Sequence, residues 1–179
     1  ARAAGWKRYD DNPVFDNAEV TRMVKAGVKA LTETQLSDGG WGWFWGWGEY
    51  SSPHQTALIV HGLQVAAQND VALVPGVLEK GIAWLKNYQA EQVKWLKNYE
   101  KQENGKRVEP YKQYADNLDA FVDMVLVDAG AADADMREFL YRDRTHLSVY
   151  AKAMYGLALH KENQAEKLAP SNTTQVTVT

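Results

Sequence analysis

The residues of this chain best suited to chemistry or binding are concentrated in one run and dispersed elsewhere. Asp38-Gly-Gly-Trp-Gly-Trp-Phe-Trp-Gly-Trp-Gly-Glu-Tyr50 carries five glycines and six aromatic rings. Trp41, Trp43, Trp45, Trp47 and Tyr50 put a large aromatic area on permissive backbone, which suits a lipid-, sugar- or substrate-binding surface. The plainer role for the same rings is to plug the space between helices and to pack against a neighbouring domain. Acid–base work needs paired carboxylates. Asp116, Asp119 and Asp123 fall at i, i+3 and i+7, one face of a helix. Glu49 and Asp128 are further acidic candidates for acid–base work or a cation site, but no histidine or second carboxylate cluster accompanies any of the five. A solvated helix face with acidic residues near the positive end of the dipole is the simpler expectation.

Other chemistries are poorly supplied. His61, His146 and His160 lack the spacing of a metal-binding pair, so no metal site is expected, and nothing in the sequence asks for a cofactor. The chain has no cysteine. Disulfides, thiolate metal sites, a cysteine nucleophile and a cysteine-derived thioester are therefore excluded from it. Lys86, Lys94, Lys97, Lys101, Lys106 and Lys112 make the middle of the chain locally basic, but Glu79, Glu91, Glu100, Glu103 and Glu109 interleave with them. Alternating signs describe a salt-bridged, exposed helix and not a phosphate track. With 20 basic against 23 acidic residues and a formal charge of −3, no nucleic-acid partner is expected.

The 179 residues are 45% apolar and 24% charged, enough for one compact domain or a large piece of one. No run of about 18 apolar residues exists, so the segment itself makes no membrane contact. It opens Ala-Arg-Ala-Ala-Gly-Trp, without a methionine or a hydrophobic leader. It reads as an excised or processed segment whose targeting signals are expected elsewhere.

The elements that must position these residues read as helices. Between Asp16 and about Gln35, Val20, Met23, Val24, Gly27, Val28 and Leu31 recur at helical intervals, and Asp16 with Glu19 has the form of a capping box. The aromatic run has no helical period and is a loop. A second helix opens at Ser52-Pro53-His54-Gln55, with Ser52 as cap and Pro53 in the first turn, and reaches about Gln68. A third begins near Pro75. It holds Trp84-Leu-Lys-Asn-Tyr88 and, eleven residues later, Trp95-Leu-Lys-Asn-Tyr99, so both copies share a face and the Trp84, Tyr88, Trp95 and Tyr99 stripe is assigned to the core.

Residues 101 to 115 are polar and interrupted by Gly105 and Pro110, an exposed connection. Helix then resumes on Leu118, Phe121, Val122 and Val125, continues with a short piece on Met136, Phe139 and Leu140, and ends with one on Leu147, Tyr150, Ala151, Met154, Leu157 and Ala158, for which Thr145 is the expected cap. The expected fold class is all-α, with about six helices in sequential antiparallel pairs and no strand in the body. Residues 169–179, ending Val-Thr-Val-Thr, form a tail that reads as strand-like or disordered. Asn172-Thr-Thr174 matches the glycosylation sequon.

Lys25-Ala-Gly-Val-Lys-Ala-Leu31 followed by Gln35-Leu-Ser-Asp-Gly-Gly-Trp41 resembles the repeat of α/α-toroid proteins, and Lys80-Gly-Ile-Ala-Trp-Leu-Lys-Asn-Tyr-Gln89 resembles its first half. The longer order is Gln35 to Phe44, then Thr56-Ala-Leu-Ile-Val-His-Gly-Leu63, then Asp143-Arg-Thr-His-Leu-Ser-Val-Tyr-Ala-Lys-Ala-Met-Tyr-Gly-Leu-Ala-Leu-His160. This order is similar to the thioester domain of bacterial alpha-2-macroglobulin-like protease inhibitors over roughly residues 17 to 165. The resemblance implies that residues 1–168 are the later part of an α/α-toroid of thioester type. It implies that the parent acts by bait cleavage and protease entrapment, with proteases and neighbouring domains of the parent chain as partners. It implies a periplasmic or cell-surface location and no enzymatic activity. The family's Cys-x-Glu-Gln thioester and bait region are missing here, and the resemblance places the thioester upstream of Ala1 or assigns the parent to relatives without one. It also places His54 near the histidine that takes the acyl group from the thioester in complement relatives; a polar residue in a first helical turn is the plainer assignment.

Two other classes stand beside this one. Squalene and hopene cyclases share the glutamine–tryptophan repeat. Their Asp-x-Asp-Asp acid is absent, and Ala132-Asp-Ala-Asp-Met136 is a poor substitute. A terpene-cyclising or prenyl-transferring toroid would use the aromatic loop for cation–π stabilisation of a carbocation. A protein- or glycan-binding module would expose it to solvent.

Overall fold

A computed structural model describes residues 16–43 and 49–168. Among the described residues, seven helices and one small hairpin follow in the order α1 (Asn17–Glu33), α2 (Pro53–Gln68), α3 (Val77–Tyr99), β1 (Gln102–Glu103), β2 (Lys106–Arg107), α4 (Asn117–Asp128), α5 (Ala134–Arg142), α6 (Val149–Lys161) and α7 (Ala165–Leu168). The fold is mostly helical, as the periodicity predicts. The chain divides into two units, one up to Gly81 and one from Ile82 onward.

In the first unit, Asp16 caps α1 by accepting from the backbone N–H groups of Ala18 and Glu19 at 2.9 and 3.2 Å. Glu19 turns to Arg22, which donates to it at 2.8 Å, and that pairing holds the Glu19 carboxyl below its usual range. Ser52 caps α2, with Pro53 in its first turn. α1 packs on α2. None of its residues is fully buried, whereas α2 buries Thr56, Ala57, Val60, Leu63 and Gln64.

The second unit is organised on α4. Every residue from Asp119 to Val127 is buried. A helix covered on all sides needs apolar residues all round, and Ala120, Phe121, Val122, Met124, Val125, Leu126 and Val127 provide them. Its main partner is α6, two helices further along the chain, with α5 packing beside it and α7 on α6. Strictly sequential pairing therefore does not hold. Val93, Leu96, Ala115, Ala120, Met136, Leu140, Leu147, Ala151, Tyr155 and Leu159 close the core. The repeated pentapeptides do face the same way: Leu85 and Leu96 are completely buried, while the flanking Trp84, Tyr88, Trp95 and Tyr99 are half-buried. The innermost contact of this helix belongs to the leucines, not to the aromatic stripe.

Four further expectations change. The body does contain strands, the antiparallel β1–β2 pair, because Asn104 and Gly105 both adopt positive φ (53° and 76°), the requirement of a tight two-residue hairpin turn. α6 is capped by Ser148, whose hydroxyl accepts from Ala151 N at 3.2 Å, and not by Thr145. A seventh, four-residue helix follows α6. Asp119 and Asp123 are not on a solvated face; each is only 1% exposed. The tail of residues 169–179 lies outside the described residues.

Candidate functional site

The aromatic loop starts where α1 stops, at Thr34. Gln35 holds the exit in place: its Nε2 donates to the carbonyls of Gly39 and Val77, both at 2.9 Å. Between them Leu36 N bonds Gly40 O and Gly39 N bonds Leu36 O, each at 2.9 Å, a tight reversal. Gly39 sits at φ 94°, and a Cβ there would lie 2.9 Å from the carbonyl oxygen of Lys80, so both conformation and space require glycine. Asp38 Oδ1 accepts from Gly40 N at 3.1 Å and from the Ser51 hydroxyl at 2.6 Å, tying the start of the loop to its end.

That reversal delivers Trp41 to the interior, where it is 1% exposed. Its indole N–H donates to Leu31 O at 2.8 Å, satisfying one of the carbonyls that the end of α1 leaves without a helical partner. Its backbone N–H bonds Thr56 Oγ1 at 3.0 Å, and its carbonyl accepts from Ser52 N at 2.8 Å. The ring rests on Val60 and Gly81, since a Cβ on Gly81 would come within 2.7 Å of Val60 Cγ2 and 2.8 Å of Trp41 Cζ3. Trp41 is a plug in the first unit with all its polar atoms satisfied.

The other loop aromatics diverge from it. Trp43 is 68% exposed and Tyr50 80%. Trp45 and Trp47 lie outside the described residues. His54 is exposed in the first turn of α2. The five-ring surface thus divides, at the described positions, into one structural indole and two outward rings.

The second unit buries two of the carboxylates expected on a solvated helix face, Asp119 and Asp123. Asp116 caps α4 and forms a reciprocal box with Asp119, whose Oδ2 accepts from Asp116 N at 2.8 Å. The same oxygen receives Lys112 Nζ at 2.7 Å, and Lys112 also reaches Asp116 at 2.8 Å and Gln92 Oε1 at 3.1 Å. One turn on, Asp123 accepts a single hydrogen bond, from Gln89 Nε2 at 3.3 Å. Oδ1 of Asp119 and Oδ2 of Asp123 have no hydrogen-bond partner among the described residues.

Burial pushes the Asp123 carboxyl up to about 7, and the Glu162 charge adds to the effect. The Gln89 hydrogen bond and Arg137 oppose it, while Asp133 adds a smaller upward push. Burial likewise raises Asp119, against the pull of Lys112. Tyr155 is raised by burial and by Asp123, and its hydroxyl donates to Arg137 O at 2.9 Å. The signal for this burial was present in the sequence. The stretch Leu118 to Val127 is apolar on every side except at Asp119 and Asp123, so neither carboxylate can face water once the helix is covered.

Among the described residues no cluster of three or more His, Asp or Glu could hold a metal ion, and no helix is long and apolar enough to cross a membrane. No protein-family model, curated protein or solved structure matches the chain.

Proposed function

We propose that this chain is part of an α/α-toroid domain of a bacterial alpha-2-macroglobulin-like protease inhibitor, outside the cytoplasm. In the parent protein a protease cuts a bait segment and is enclosed by the rearrangement that follows. The carrying observation is the Gln35–Trp41 closure. The residues of the family's repeat are also those with a mechanical task, with Gln35 bridging two carbonyls and Trp41 buried behind Gly39. The mostly helical fold supports the same reading. The chain carries no cysteine, so any thioester belongs to another part of the parent, and His54 is the acyl acceptor only if such a bond is brought to it. Proteases and neighbouring domains are the partners, and the segment itself catalyses nothing.

A second reading, a protein- or glycan-binding module, is favoured by the outward Trp43 and Tyr50. The two readings separate in a protease assay with two substrate sizes. The intact protein carrying this domain, incubated with trypsin, is expected to block digestion of a large protein substrate while a small chromogenic peptide is still cleaved. The 179-residue chain alone is expected to affect neither. Equal cleavage of both substrates in the presence of the intact protein would refute the trap; inhibition by the isolated chain would refute the assignment of the mechanism to the parent.

A further inference from the structure

The second unit contains a pocket of about 320 Å³ lined by Arg144, Thr145, Lys152, Tyr155, Gly156, Leu159, Lys167 and Leu168. Lys152, Gly156 and Leu159 lie at i, i+4 and i+7 on one face of α6, so the helix offers a charge, a gap and an apolar wall in one line. The gap exists because position 156 is glycine: a Cβ there would meet only Leu168 Cδ2, at 3.9 Å. α7 and the connection between α5 and α6 supply the remaining walls.

Three of the lining residues are cations and none is an acid. Lys167 is paired with Glu138, but Arg144 and Lys152 have no ion-pair partner among the described residues. Arg144 is held in position rather than loose. Its Nη1 donates to Tyr141 O at 2.7 Å and its guanidinium lies 4.3 Å from the centre of the Tyr141 ring, on which Lys167 also lies, at 5.4 Å. An arginine fixed through one of its five N–H groups keeps the others for an acceptor. Like charges gathered around a partly apolar pocket repel one another until an anion enters, and a planar guanidinium with an ammonium suits a carboxylate or a phosphate.

We propose that this pocket binds a small organic anion, its carboxylate or phosphate head between Arg144 and Lys152 with Thr145 as a hydroxyl partner, and its apolar body against Gly156, Leu159 and Leu168. The volume is at the low end for ligand sites, which limits the ligand to a short aliphatic or single-ring acid. The pocket stands independently of the protease-trap reading.

The test is an amide-resolved NMR titration of the 179-residue protein with three probes: octanoate for head and body together, inorganic phosphate for the head alone, and hexanol for the body alone. Octanoate is expected to shift the amides of Arg144, Thr145, Lys152 to Leu159 and Lys167 saturably, and to bind at least about ten-fold more tightly than either of the others, about 1.4 kcal/mol. Gly156→Leu fills the gap with a better helix former and is expected to weaken octanoate by about ten-fold or more while leaving the rest of the spectrum in place. Arg144→Gln with Lys152→Gln, changed at the pocket rim, tests the charges without filling the pocket and should produce a similar loss. Absence of saturable shifts at these amides, hexanol binding as tightly as octanoate, or unchanged affinity in the Arg144→Gln/Lys152→Gln protein would overturn the proposal.

Discussion

The two units solve the problem of covering a helix in opposite ways. In the first, α1 buries no residue completely, and its C-terminal end is fastened by one indole and a glutamine from the loop that follows. In the second, α4 is buried along its length and stability is spread over many aliphatic contacts, at the cost of carrying two carboxylates into the core. The first arrangement concentrates stability in one ring. The second distributes it and makes it depend on protons.

The largest effect in the second unit is expected at Lys112, whose ammonium is the only cation that the described structure places on the buried Asp119 carboxylate. Lys112→Met keeps most of the stem and removes the charge, leaving Asp119 ionised in the core without a counter-ion. The loss is expected to be about 3 to 5 kcal/mol in urea unfolding near pH 8, and smaller in acid, where Asp119 can take up a proton. An unchanged midpoint at pH 8 would mean that the buried pair carries no weight.

Asp123 gives the next effect and has a definite sign. Its folded value near 7 lies above the ordinary carboxyl value of 3.8, so between these limits the folded state keeps a proton that the unfolded state has released. The contribution is fully present below about pH 4 and is lost as pH rises through about 7. Asp123→Asn, neutral at every pH, should remove this dependence and be the more stable protein at pH 8 by about 2 to 4 kcal/mol. Parallel stability curves for the two proteins from pH 4 to 8 would contradict the burial of an ionisable carboxyl.

A smaller effect is expected at Gly81, where propensity and packing disagree. Alanine is the better helix former by about 1 kcal/mol, but its Cβ would collide with Val60 and Trp41, an overpacking cost of about 1 to 3 kcal/mol. Gly81→Ala should therefore destabilise by about 1 kcal/mol; stabilisation would show that the ring has room to move.

The sequence was most legible where a local rule decides the structure. Asp16 and Ser52 cap as their spacing predicts, and the helix after Ser52 ends at Gln68. The eleven-residue repeat correctly places equivalent residues on one face, but periodicity does not say which neighbour of a tryptophan goes deepest, and the leucines do. Thr145 was a reasonable cap by residue type. Ser148 won because the chain first makes a turn in which His146 N bonds Asp143 O at 2.9 Å, which delays the helix. The charge of Asp119 and Asp123, taken residue by residue, points to solvent, whereas burial of α4 is a property of the whole helix and of what α6 covers. Within the aromatic run, identity alone could not separate Trp41 from Trp43. Only two residues apart, Trp41 is turned inward and Trp43 to solvent.

A single indole thus closes the first unit, while the ring two residues on stays exposed. The most direct measurement is the unfolding free energy of Trp41→Ala beside Trp43→Ala, from urea titrations of the same chain with equal slopes. The expected loss is about 3 to 5 kcal/mol at Trp41, as for large buried aromatics, and no more than about 0.5 kcal/mol at Trp43. A loss below about 1 kcal/mol at Trp41, or equal losses at both positions, would contradict it.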